Sequence, residues 1–68
     1  MKKAIAVYGV NSVLGPVLVG IRLDEDAEAL ARQWELTVEK KETVGGSIRL
    51  IARDGDNRLL YLDEVPIL

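Results

Sequence analysis

The chain has no cysteine and no histidine. Without cysteine there are no disulfides, no iron–sulfur clusters and no thiol chemistry. With both missing, zinc fingers, haem attachment and imidazole catalysis are excluded as well. Serine occurs only at Ser12 and Ser47, with no histidine to act as general base, so a hydrolytic nucleophile lacks its partner. The aromatic residues are Tyr8, Trp34 and Tyr61. An RNA-binding sheet normally displays stacking aromatics beside basic residues, and so sparse a set makes nucleic-acid readout a poor match. A formal net charge of −2 gives no general attraction to nucleic acid or to an anionic membrane.

What is present is apolar: 49% of 68 residues are hydrophobic. A chain of this length makes one domain, residues 1–68, and buries only about 60% of the surface its unfolded form exposes. Small domains usually add a disulfide, a metal or a partner subunit. With no cysteine or histidine, self-association is what remains.

MKKAIAVYGVNSVLGPVLVG opens the chain with Lys2 and Lys3 and then no charge until Arg22. A secretion signal would need a continuous apolar run and a small-residue cleavage site, but Gly9, Asn11, Ser12, Gly15 and Pro16 break the run and no Ala-x-Ala follows. The same breaks speak against a membrane helix, which needs about 20 apolar residues. The expected location is therefore the cytoplasm. A Walker loop fails on spacing, with Pro16 where its lysine belongs, and no Gly-x-Gly fingerprint occurs. Two strands over 4–10 and 17–23, joined by NSVLGP, fit best. Alternation assigns Val17, Val19, Ile21 and Leu23 to one face of the second strand. Strands apolar on both faces are normally covered on both sides.

DEDAEALARQWEL predicts the single helix, with Asp24 as N-cap. Ala27, Leu30, Ala31 and Trp34 form one buried stripe, with Trp34 clamping helix to sheet, and Glu28 and Arg32 are spaced as an i, i+4 pair. LTVEKKETV reads as a charged edge strand, Gly45-Gly46 as a hairpin turn, SIRLIAR and RLLYL as two further strands, and DGDN as the turn between them. The expected architecture is α+β in the order ββαβββ, with the helix on one face of a mostly antiparallel sheet.

A two-residue turn within DGDN places Leu50, Ala52, Leu59 and Tyr61 on the core face. Ile51, Leu60 and Leu62 then share the other face with Arg49, Arg53 and Arg58. With Gly55-Asp56 as the turn, Arg53 opposes Arg58, a repulsion that an anionic ligand or a partner carboxylate would relieve; with Asp54-Gly55 the faces stay and the partners change. At the Gly45-Gly46 turn, a strict two-residue loop puts Leu36 and Val38 with Arg49 and Ile51, whereas a glycine bulge moves them to the Leu50 face. Both readings stay open. The tail, Val65, Pro66, Ile67 and Leu68, is apolar to its last residue. With Ile51, Leu60 and Leu62, the side chains of Val65, Ile67 and Leu68 form the expected homo-oligomer interface, most simply a dimer's.

No catalytic residue, metal ligand set or cofactor motif emerges; Asp54 and Asp56 do turn work beside Gly55. The expected function is a non-catalytic interaction protein, a small regulator, inhibitor or accessory factor that acts as a homo-oligomer on an unidentified protein partner. The alternative is binding of a small phosphorylated ligand or nucleotide through Arg49, Arg53 and Arg58 at a subunit interface.

Overall fold

Ile5 and Val7 alternate with Ala4, Ala6 and Tyr8 along β1 (Lys3–Asn11), so this strand presents apolar side chains on both faces. In the computed structural model, which describes residues 2–65, it is followed by β2 (Gly15–Asp24), α1 (Ala27–Gln33), β3 (Thr37–Val44), β4 (Ser47–Arg53) and β5 (Leu59–Val65). The strands form one sheet in the order β2-β1-β5-β4-β3, and every neighbouring pair is antiparallel. This is the ββαβββ α+β fold that the sequence predicts. The chain leaves β2 at one edge, crosses the sheet as α1 and re-enters at the other edge as β3.

The helix starts two residues later than the sequence reading places it. Asp24 is still paired with Lys3 in the β1–β2 ladder, so the backbone cannot turn there. Asp26 is the N-cap instead, accepting from the Ala29 amide at 2.7 Å. The Ala27 amide donates to Glu64 Oε2 at 3.1 Å, so β5 satisfies another of the helix's free donors. At the far end Glu35 adopts φ +57°, and the Leu36 and Glu35 amides return to the carbonyls of Ala31 and Arg32. That reversal turns Leu36 onto the core. Trp34 therefore does not clamp the helix: as C-cap it stays 37% exposed, with Arg22 over its ring at 5.9 Å. Glu28 turns to Lys41 at 2.8 Å, so the expected Glu28–Arg32 pairing gives way to a tie between α1 and β3.

The core lies between α1 and the middle strands: Ile5 and Val7 from β1, Leu62 from β5 and Leu50 from β4, under Ala27, Leu30 and Ala31. The β4–β5 register corrects the expected faces. Five loop residues, 54–58, separate the pair Arg53–Leu59, so Leu50 opposes Leu62 and Ala52 opposes Leu60. Asp54 organises this loop, its Oδ1 accepting from the amides of Asp56 and Arg58 at 2.9 Å each, while Asn57 sits at φ +63°. An odd-length loop exchanges the two faces of β5 relative to a two-residue turn. Leu60 and Leu62 thus lie on the helix side, Leu62 with no exposed surface, and Leu59 and Tyr61 lie on the open side.

The β3 conflict is settled inside the strand. Gly45 and Gly46 form a two-residue turn at φ +57° and +82°, and a bulge between Val38 and Lys40 then moves Val38 opposite Ala52. The Leu50 face is therefore reached without lengthening the turn.

Candidate interaction surface

β2 is the edge strand beyond β1, and its alternation is broken. A bulge opposite Val7/Tyr8 adds Val19, so Ile21 and Leu23 pair with Ala6 and Ala4 on the open face while Leu18 pairs with Tyr8. Val17 pairs with Gly9 on the helix side, where a Cβ built at Gly9 would lie 3.4 Å from Val19 Cγ2. The expected single row of Val17, Val19, Ile21 and Leu23 is thereby split across two faces. All of these side chains are in water: Val17, Leu18, Val19, Ile21 and Leu23 are between 44% and 68% exposed. Together they present on the order of 500 Å² of apolar surface wrapped around one edge, near the top of the range for the largest patch on a monomer.

The hairpin tip extends this surface. Asn11 Oδ1 accepts from the amides of Val13 and Leu14, and Gly15 takes φ +77°, which closes a three-residue loop. Turn chemistry so fixed leaves Val13 and Leu14 pointing outward, 88% and 75% exposed.

The open face changes character toward β4. Tyr8 directly opposes Tyr61, and Arg49 stacks over Tyr61 at 4.9 Å while donating to both oxygens of Asp63 at 2.8 Å. The Asp63 hydrogen bonds hold the Arg49 guanidinium more firmly protonated than an ordinary arginine. Arg53 donates to Glu39 at 2.9 Å and to the Asn57 carbonyl at 3.1 Å. It opposes Leu59, so Arg53 and Arg58 are not the directly opposed pair that the sequence suggests; Arg58 lies exposed in the 54–58 loop. Arg49 and Arg53 are four residues apart on one strand, about 13 Å by strand rise, each with its own carboxylate. The three arginines do not converge.

Of the expected interface residues, Ile51 and Val65 lie on the open face, Leu60 and Leu62 on the helix side, and Ile67 and Leu68 outside the described residues. β2, which is absent from the expected interface, carries five of the ten large exposed hydrophobic side chains among the described residues. The signal was available: seven residues from Gly15 to Ile21 without a charge.

An open depression of about 250 Å³ beside Tyr8, Ser47, Arg49, Asp63 and Val65 is smaller than the roughly 300–1,000 Å³ of ligand pockets. Among the described residues no group of three or more potential ligands is placed to hold a metal ion, and no helix is long and apolar enough to cross a membrane. Comparisons with protein-family models, curated proteins and solved structures gave no match.

Proposed function

We propose that the protein is a non-catalytic interaction module, a small regulator or accessory factor that works as a homo-oligomer in the cytoplasm. One observation carries this reading: an edge strand apolar on both faces and exposed on both, in a domain too small to leave such surface idle. The open face adds the residue types that anchor protein interfaces, with Tyr8, Tyr61 and Arg49 adjacent and Ile21, Leu18 and Val65 beside them. The lack of histidine and cysteine removes imidazole and thiol catalysis, which also favours a binding role. The phosphorylated-ligand alternative gains nothing from the geometry, because Arg49 and Arg53 are each held by a carboxylate.

Sedimentation velocity over a concentration series tests the reading. The expected result is a dimer or larger species at micromolar concentration. A chain that remains monomeric at about 100 µM, where association is worth less than about 5.5 kcal/mol, removes the oligomeric module.

A further inference from the structure

We infer that β2 pairs antiparallel with β2 of a second copy about a two-fold axis, joining two five-stranded sheets into one continuous sheet. The inference rests on the oligomeric module above and names its contact. Among the described residues β2 pairs with no strand but β1, so the outer N–H and C=O groups of a ten-residue strand have no strand partner, and the one further contact to its backbone is the Arg22 guanidinium donating to the Ile21 carbonyl at 3.2 Å. The apolar side chains decide how a second copy must approach. Leu18, Ile21 and Leu23 lie on the open face, and Val17 and Val19 on the helix side. A copy stacked on the open face would leave Val17 and Val19 in water. One stacked on the helix side would strand the other three. Only a strand added in the plane of the sheet gives every one of these side chains a cross-strand neighbour, about 4.5–5.5 Å away between Cβ atoms.

Charge and size agree with a self-pairing. Between Gly15 and Leu23 the single charged residue is Arg22, whose guanidinium is drawn back over Trp34. An axis between Val19 and Gly20 overlaps Gly15 to Asp24 and sets Leu18 opposite Ile21 on the open face, Val17 opposite Arg22 on the helix side and Asp24 opposite Gly15 of the second copy, so like charges never face. The bulge at Val19 then bends both strands about the same point. A stable dimer buries about 800 Å² per partner; the exposed β2 side chains supply over half of that, and the edge backbone with Val13 and Leu14 lies next to them.

Because the chain has no cysteine, any disulfide in a single-cysteine variant is intermolecular. The test oxidises single-cysteine variants at Val17, Leu18, Val19, Gly20, Ile21 and Leu23, with Thr37→Cys and Lys40→Cys on β3 as references. At Gly20 the new Cβ meets only the movable end of Arg22, at 3.1 Å. Linkage that peaks within β2, expected around Val19 and Gly20, and decays on both sides supports the pairing and reads its register. Alongside it, Ile21→Lys should raise the dimer dissociation constant at least roughly 100-fold, with an unchanged thermal melt of the monomer. A dimer that links more readily through Thr37 or Lys40, or nowhere on β2, overturns the inference and leaves the module standing. A monomer at every concentration overturns both.

Discussion

β2 and β3 are edge strands of the same sheet, each paired on one side only and each interrupted by a one-residue bulge. Their surfaces differ sharply. From Pro16 to Ile21 β2 holds no charge, whereas β3 runs Glu39, Lys40, Lys41, Glu42. Each of those four is in an ion pair: Glu39 with Arg53, Lys40 with Glu42, and Lys41 with Glu28. Exposed pairs of this kind add little to stability. Their effect on an edge is to make the approach of another strand unfavourable. On the pairing proposed above, β2 is the edge that takes a partner and β3 the edge that does not, so the sheet would grow by one partner and then stop. A bulge alone does not close an edge, since both strands have one.

The largest expected effect probes whether the two edges hang from one core. Leu62→Ala should cost about 3 kcal/mol, within the usual range for emptying a packed leucine site. Amide exchange should then speed up equally on β2 and β3. If only one edge loosens, they belong to separate cooperative units and their comparison loses its basis.

A second experiment removes the difference directly. Lys40→Val combined with Glu42→Val takes two charges from the open side of β3 and leaves Glu39 with Arg53. The expected outcome is open-ended assembly, seen as light scattering at concentrations where the parent chain stays clear. A variant that remains the same size as the parent would mean that charge is not what closes β3.

The smallest effect concerns Lys41. Its hydrogen bond to Glu28, followed by that residue's charge, raises the lysine above its ordinary value of 10.5. A raised folded value means that the charged form favours the fold. The contribution is complete below 10.5 and fades as pH climbs through the raised value. Melting curves of the parent and of Lys41→Gln should therefore differ by a constant small amount at neutral pH and converge in strong alkali. A gap that persists there would assign the tie between α1 and β3 to packing.

The sequence carries the element order, the short helix and the Gly45-Gly46 turn, because each is set by local chemistry: apolar alternation in β1, an acidic helix start whose cap falls at Asp26 and not at the expected Asp24, left-handed Gly45 and Gly46. Facing residues are less legible. The DGDN segment reads as a two-residue turn, yet the Asp54 side chain gathers two amides into a five-residue loop, and that one change carries Leu62 from the open face to the core. The bulges at Val19 and Glu39 leave no composition signature at all, since each is chosen by how the whole strand meets its neighbour. The interface expectation inherits these errors. Of its six residues, Leu60 and Leu62 lie on the helix side and Ile51 and Val65 on the open face, while the uncharged run of β2 lies in plain view.

The position of β5 has a consequence for synthesis. It follows every other element in the chain and lies at the centre of the sheet, the one strand that touches both hairpins. A ribosome-bound chain still lacking β5 holds β1–β2 and β3–β4 as unconnected ribbons, with Ile5, Val7 and Leu50 in search of cover. Isolated two-stranded ribbons are at best marginally stable in water. Folding of this domain must therefore wait for β5 to emerge, and for that interval the two ribbons expose the apolar surface that the native core would cover.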